Sequence, residues 1–432
     1  MIYSPQEKLS PRELDNLRFE RLKSTITRLY ENVPVYRHKF EKAGVSPKHL
    51  TKLSDISLFP FTTKADLRDW YPLQALTVPV HKLARIHATA GATGKPILSA
   101  YTTKDLETWT ELSARSLLSA GVREGDIIQV ALNYGLRSMG LGMHYGAEKI
   151  KALVIPASDV NLKSQIMLLE ELKTTVLCCA PSFALRIAEL MRQMGMYKEN
   201  FNLRVGVLGG EPWSENMRAE IEDLLHIIAI DIYGLSEMFG MGVACECIES
   251  RTGAHIFMDH FLPEIINPET GEILPPGEEG ELVLTSLTKE AFPLVRYRTR
   301  DITKLNPEPC KCGRTFWRMS KVVGRTDDMI FVRGINLFPS QIESVLLRRP
   351  EVEPRYMIEV ERKDALDHLT VRGEISPEFF EAGKESVKEL EKFIECEIMD
   401  FLGVQATVKL LPHGSLPLKD SKTAIVIDKR KI

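Results

Sequence analysis

What this chain lacks narrows it first. No stretch approaches the ~18 continuous apolar residues of a membrane-spanning helix, which argues against a helical membrane protein. Neither sign of charge is in excess: 56 Lys and Arg stand against 59 Asp and Glu, a net of −3. That balance gives no electrostatic reason to expect a nucleic acid or an anionic membrane as partner. No repeat with a period of about 20–50 residues and no low-complexity tract is present, so solenoids and long disordered segments are out. The polar N-terminus is unlike a secretory signal, and the expected location is the cytoplasm. Cysteine is scarce and odd in number at seven, which excludes a fully paired disulfide scaffold. Six of the seven fall in close pairs (Cys178 with Cys179, Cys245 with Cys247, Cys310 with Cys312), and Cys396 is alone. Such pairing in a cytosolic-looking chain points to metal ligation before disulfides. The remainder is ordinary for a soluble globular protein: 44% hydrophobic and 27% charged residues over 432 positions. That length makes two or three domains at about 150 residues each.

Periodicity sorts the chain into regions. Residues 11–30 place Leu14, Leu17, Leu22, Ile26 and Leu29 near a helical period behind Ser10-Pro11, a cap followed by a first-turn proline. From residue 83, strand-sized runs at 127–132, 152–155, 176–179 and 205–208 alternate with helical patterns at 103–120, 162–172 and 182–194. That alternation predicts an α/β fold with parallel strands covered by helices. After about residue 255 the texture changes. Asn267-Pro268, Thr270-Gly271 and Pro275-Pro276-Gly277 separate short strands and predict a β-meander, within a β-rich subdomain over about 240–320. The last stretch predicts a helix at 339–347, a strand, one long helix over 377–402 and a strand-rich tail. The expected layout is a large domain over 1–326 and a small mobile α+β lid over 327–432.

Five short motifs carry candidate chemistry. Ala88-Thr89-Ala90-Gly91-Ala92-Thr93-Gly94-Lys95-Pro96 follows a strand-like run and can aim backbone N–H groups at an anion, with Lys95 at hand. It lacks P-loop spacing, and on glycine content alone a flexible turn is the simpler reading. Tyr233-Gly234-Leu235-Ser236-Glu237 leaves a strand at its carboxyl end, where open α/β sheets place ligands. There Glu237 suits Mg²⁺ and Tyr233 suits stacking on a base, or the segment is a plain solvated exit. Tyr297-Arg298-Thr299-Arg300-Asp301 is either an ion-paired edge or, through Asp301, an acceptor for a ribose diol. The others are Gly324-Arg325-Thr326-Asp327-Asp328 and, near the end, Lys419-Asp420-Ser421-Lys422-Thr423.

In their order and spacing these motifs resemble those of the acyl-activating adenylate-forming superfamily, and most of all the phenylacetate–coenzyme A ligase family. Glu31-Asn32-Val33-Pro34-Val35-Tyr36-Arg37, His144-Tyr145-Gly146-Ala147-Glu148, Gly209-Gly210-Glu211-Pro212-Trp213 and Arg333-Gly334-Ile335-Asn336-Leu337-Phe338-Pro339 also match, so the resemblance spans nearly the whole chain. It implies two half-reactions: a carboxylate attacks the α-phosphate of ATP·Mg²⁺ to give an acyl-adenylate, and a thiol then displaces AMP. Coenzyme A is the implied thiol; a carrier-protein thiol is the alternative. Thr89, Ala90, Gly91, Ala92, Thr93, Gly94 and Lys95 are implied to cradle the phosphates. Gly209, Gly210 and Glu211 with Tyr233, Gly234 and Ser236 are implied to line the nucleotide, Asp301 to hold the ribose and Glu237 to hold Mg²⁺. Arg325 falls near ribose and phosphate, Lys422 on the adenylation lysine and Asp327 on the hinge of a rotating lid. Tyr134 and Gly135 fall where relatives wall the acyl pocket, and small apolar neighbours there suit an arylacetate. Two departures stand out. Ala90 and Ala92 replace family hydroxyls, which predicts weaker ATP binding, and Ser421 replaces the glycine before the lysine, with Lys419 as a nearby alternative. A homodimer is also implied.

Cys245-Glu246-Cys247 and Cys310-Lys311-Cys312-Gly313 bring thiols suited to tetrahedral zinc, with His255 and His260 between them. Some relatives bind a structural zinc here, and the motif match gives Cys247, His255, Cys310 and Cys312, with Cys245 competing for a place. A zinc-ribbon nucleic-acid module finds no basic patch around Cys310 to support it.

Overall fold

The computed structural model describes residues 2–89, 96–136, 139–158, 160–196, 198–326, 329–332, 335–363, 366–381, 383–417 and 424–430. They fold into two compact units. The first comprises Met1–Ala180, Leu190–Gly210 and Leu225–Lys321; the second comprises Pro181–Glu189, Glu211–Leu224 and Val322–Ile432.

In the first unit the expected leading helix is Pro11–Asn32. Ser10 N donates to Glu13 Oε2 at 2.9 Å and Glu13 N returns to Ser10 Oγ at 3.4 Å, a reciprocal cap ahead of a first-turn proline. Leu14, Leu22, Ile26 and Leu29 form its buried face, at about 1.5–3 kcal/mol for each side chain taken from water. Just before this helix, Glu7 is wholly buried. It accepts the amides of Tyr3 and Ser4 at 2.9 and 3.0 Å on one carboxylate oxygen, and Arg314 Nε at 2.6 Å on the other. Neither side chain of that ion pair reaches water, so each charge depends on the other.

The main sheet has nine strands, ordered Leu153–Pro156, Ile127–Val130, Val176–Cys179, Val205–Gly209, Ile228–Leu235, Gly240–Cys245, Ala254–Ile256, Arg318–Met319 and Leu305–Asn306. The first five run parallel, as the βαβ alternation predicts, with the helices Met139–Lys149, Leu162–Glu171, Pro181–Gln193 and Glu215–Leu225 falling between them in sequence. The remaining neighbours are antiparallel. After residue 235 the chain turns straight back at Gly240 and again before Ala254, with no crossover helix, so those neighbours pair antiparallel, and Arg318–Met319 joins from far along the chain. Val176–Cys179 is fully buried, and burial pushes the Cys178 thiol up to about 12. A separate antiparallel sheet contains Phe261–Ile266, Gly280–Ser286 and Tyr297–Thr303, which is the expected meander. Arg85–Ala88 and Leu98–Tyr101 pair as a hairpin whose connection contains residues 90–95.

The second unit is α+β, as expected. Its sheet runs Ala406–Pro412, Leu366–Ile375, Val352–Lys363 and Ala424–Asp428; the central pair is antiparallel and each outer strand is parallel to its neighbour. The helices Pro339–Leu346 and Lys384–Leu402 contribute Ile342, Val345, Ile394 and Ile398 to a core with Tyr356, Ile358, Val360 and Val371. One expectation is corrected. The single helix over 377–402 is two, Pro377–Glu381 and Lys384–Leu402, because Gly383 adopts φ +111°, which an α-helix cannot contain. Among the described residues no helix is long and apolar enough to cross a membrane.

Candidate active site

The parallel half of the main sheet delivers the first site residues. Gly209 ends one strand beside Ile232 of the next, and a Cβ on Gly209 would lie 2.2 Å from the Ile232 carbonyl oxygen. Two residues on, a Cβ on Gly234 would lie 1.9 Å from the Gly240 carbonyl oxygen, so the strand can fold back at Gly240 only without a side chain. The turn closed in this way carries Ser236 and Glu237.

A second strand meets this turn. Tyr297 and Asp301 lie on Tyr297–Thr303, where burial alternates inward at 297, 299 and 301. Tyr297 donates its phenol to Glu237 Oε1 at 3.1 Å, and the Tyr233 phenol donates to Asp301 Oδ2 at 2.5 Å. Glu237 and Asp301 are both buried, at 6% and 4% exposure. Each carboxylate is thus held by a phenol from the other's segment, Asp301 by Tyr233 and Glu237 by Tyr297. Charged acceptors make the stronger hydrogen bonds, and each of these fixes a carboxylate without neutralising it.

The other expected residues are placed as follows. Thr89 closes its loop: its amide donates to the Ile97 carbonyl at 2.9 Å and its hydroxyl accepts the Ile97 amide at 3.2 Å. Ala90, Gly91, Ala92, Thr93, Gly94 and Lys95 lie outside the described residues, as do Asp327, Lys419 and Lys422. Glu211 belongs to the second unit, where its carboxylate accepts the Ser182 amide at 2.7 Å in the first turn of Pro181–Gln193. Arg325 is in the second unit too and is half-buried. Tyr134 shares a hydrogen bond with His144 Nδ1 at 3.2 Å, and His144 Nε2 lies 3.1 Å from Glu148 Oε1. Burial pushes the Tyr134 phenol up. Gly135 is exposed, with open space around it.

The cysteine cluster forms at the antiparallel half of the same sheet. Cys247 follows one strand, His255 sits in the next, and Cys310 and Cys312 ride the loop between Leu305–Asn306 and Arg318–Met319. The ligand atoms of these four residues all lie within 4.8 Å of one another. Cys247 and Cys310 sulfurs are 3.6 Å apart, and Cys312 Sγ is 3.4 Å from His255 Nε2. His255 Nδ1 lies 3.0 Å from the Phe316 carbonyl oxygen, which assigns the proton to Nδ1 and leaves Nε2 as the electron-pair donor. The hydrogen bond from Cys247 lowers Cys312 and the same bond raises Cys247. Cys245 does not join them. It is wholly buried, its thiol donates to the Ser116 carbonyl at 3.4 Å, and burial raises it well above the ordinary thiol range.

Two residues of the site escaped the sequence. Tyr297 stands at the head of a motif singled out for Asp301, and only the pairing of the two sheets reveals its contact with Glu237. Lys289, fully buried beneath the Glu237 turn, has no local signal at all.

Residues 63–288 match the AMP-binding enzyme family and residues 334–430 match the AMP-binding enzyme C-terminal domain. A phenylacetate-coenzyme A ligase of Aromatoleum evansii is 46% identical over 428 residues, covering 99% of this chain and 97% of that one. One from Escherichia coli is 45% identical, covering 99% and 98%. Among solved structures, a 2-hydroxyisobutyryl-CoA ligase in its postadenylation state superposes with a TM-score of 0.92 at 27% identity, covering 98% of this chain and 91% of that one. The chain belongs to the phenylacetate–coenzyme A ligase family of AMP-binding enzymes.

Proposed function

We propose that this protein activates an arylacetic acid, phenylacetate before others, with ATP to an acyl-adenylate and then transfers the acyl group to the thiol of coenzyme A. The paired contacts Tyr233–Asp301 and Tyr297–Glu237 carry the proposal, in a chain 46% identical to a phenylacetate-coenzyme A ligase. Both half-reactions crowd negative groups together, so they need cations and oriented donors. Asp301, anchored by a phenol, accepts the ribose hydroxyls, while Gly209, Gly210 and Glu211 with Tyr233, Gly234 and Ser236 line the nucleotide. Thr89 and residues 90–95 cradle the phosphates, and Arg325 reaches the ribose and phosphate. Lys422 bridges the incoming carboxylate and the α-phosphate, with Asp327 as the hinge between domains 1–326 and 327–432. Tyr134, oriented by His144, and Gly135 wall the acyl pocket.

Two metals belong to this proposal. Glu237 offers a hard carboxylate oxygen beside the nucleotide residues, which fits Mg²⁺; the ion, when bound, neutralises phosphate charge. Three thiols and an imidazole with its far nitrogen already engaged fit Zn²⁺, held by Cys247, His255, Cys310 and Cys312. Four protein ligands close that site, so zinc supplies stability and no chemistry. A cytoplasmic homodimer completes the proposal, and sedimentation of the purified protein tests its stoichiometry.

The decisive assay is pyrophosphate release across a panel of carboxylic acids, with and without coenzyme A. Phenylacetate is expected to give the highest kcat/KM, with AMP and acyl-CoA formed one for one. Acid-dependent pyrophosphate release with no acyl-CoA formed would redirect the proposal to a carrier-protein acceptor. No response to any acid would end it.

A further inference from the structure

Lys289 is 0% exposed, and among the described residues it makes no ion pair with a carboxylate. An ammonium taken from water loses its hydration, and with no carboxylate in ion-pair contact that loss is offset by hydrogen bonds, polarizable neighbours and the fields of Asp105 and Glu237. Here the neighbours converge on one short segment. Nζ donates to the Glu237 carbonyl at 3.2 Å, to the Met238 carbonyl, and to Ser99 Oγ at 2.5 Å. Ser99 Oγ in turn donates to the Glu237 carbonyl at 3.3 Å. The Tyr101 phenol donates to the Met238 carbonyl at 3.0 Å, and the Tyr101 ring centre lies 4.1 Å from Nζ. The carbonyls of the Glu237 turn are therefore satisfied from below by one cation and two hydroxyls, while the Glu237 carboxylate faces Tyr297.

We propose that Lys289 is a positioning residue for magnesium-dependent adenylation: its ammonium clamps the carbonyls of residues 237 and 238, so the Glu237 carboxylate is presented at a fixed place. The inference rests on Glu237 as the magnesium-holding carboxylate. A methionine would fill the same space without the desolvation, and it would leave those carbonyls short of donors. The clamp is the part that apolar packing cannot supply.

The charged and titratable groups facing Lys289 are Asp105 at the start of the helix Thr103–Ser119, Glu237 on the turn, His87 and Tyr101 on the hairpin, and Arg28, which donates to the Lys289 carbonyl at 2.8 Å. Burial pushes the ammonium from 10.5 down to about 7, against the favourable fields of Asp105 and Glu237.

The experiment uses the full-length zinc-loaded enzyme and phenylacetate-dependent ATP–pyrophosphate exchange. Half-saturating Mg²⁺ is measured at one pH, both in the exchange reaction and as the Mg²⁺ that ATP needs to raise the melting temperature. Lys289→Met is expected to raise half-saturating Mg²⁺ about tenfold by both readouts, the scale of losing hydrogen bonds from a charged donor. If Lys289→Met does not fold, Ser99→Ala keeps the lysine and removes the hydroxyl between it and the turn, with about a threefold rise expected. Unchanged magnesium dependence in the folded variant overturns the clamp, whatever happens to the melting temperature. Glu237→Gln, run in parallel, separates the two ideas. If it too leaves magnesium dependence unchanged, the assignment of Glu237 fails; if it alone changes it, only Lys289 is excluded.

Discussion

The Glu237 turn and the cysteine cluster both gather groups that carry or can carry negative charge, and they are built in opposite ways. At the turn each carboxylate already has a protein donor, Tyr297 on Glu237 and Tyr233 on Asp301. At the cluster the groups face one another, Cys247 against Cys310 and Cys312 against His255, and the Phe316 carbonyl engages only the imidazole nitrogen turned away from the thiols. If the turn binds a ligand that departs on every turnover, as proposed above, it needs donors that hold its carboxylates while it waits. A cluster that kept one ion, as proposed for zinc, would need only the ion.

That contrast can be broken from either side. The largest effect is expected at the exchangeable site: Lys422→Ala should cut adenylate formation about 10³-fold by removing a cation from the charge-crowded step. Thioester formation from supplied acyl-adenylate should persist, and equal loss of both half-reactions would remove Lys422 from its role. Next comes the proposed zinc site. If it holds zinc, Cys312→Ala or exhaustive chelation should release the ion and lower stability by roughly 3 kcal/mol or more, with KM for ATP nearly unchanged. A parallel rise in that KM would show that the two regions are not independent. Asp301→Asn keeps the shape but not the charge, and about a tenfold rise in KM for ATP is expected, with little change in melting temperature. An unaltered KM would free Asp301 from ribose binding. The smallest effect belongs to Cys245→Ala: about 1 kcal/mol of stability and no loss of metal, measured by metal content per chain. Loss of the metal would return Cys245 to the ligand set.

Local patterns carried much of this fold and distant pairings carried the rest. Helix 11–30 and strand 176–179 follow from apolar spacing alone, so both were visible before any contact was known. The antiparallel half of the main sheet was not, because strands of two or three residues such as Arg318–Met319 leave almost no periodicity. The same division runs through the site. Asp301, Tyr233 and Glu237 were legible as candidates because motifs fix their order. Tyr297 as partner of Glu237 needed two sheets brought together across 60 positions. Lys289 was hidden altogether, since nothing near Thr288-Lys289-Glu290 marks a lysine destined for the interior. The candidate cysteines were legible by type and pairing, and the motif match favoured Cys247; the structure gathers Cys247 with His255, Cys310 and Cys312 while Cys245 meets the Ser116 carbonyl instead.

The buried bond between Glu7 and Arg314 has a consequence for the order in which the molecule can be made. Its partners are 307 positions apart, so during synthesis the N-terminal carboxylate emerges long before the guanidinium that it requires. Until then, seating Glu7 would bury an unpaired charge, and the segment ahead of the first helix has reason to stay in water. Arg314 lies two positions after the last cysteine of the cluster. A nascent chain that has not yet reached that loop therefore keeps its own beginning undocked, and the fold closes at its start only when the sequence around residue 314 has arrived.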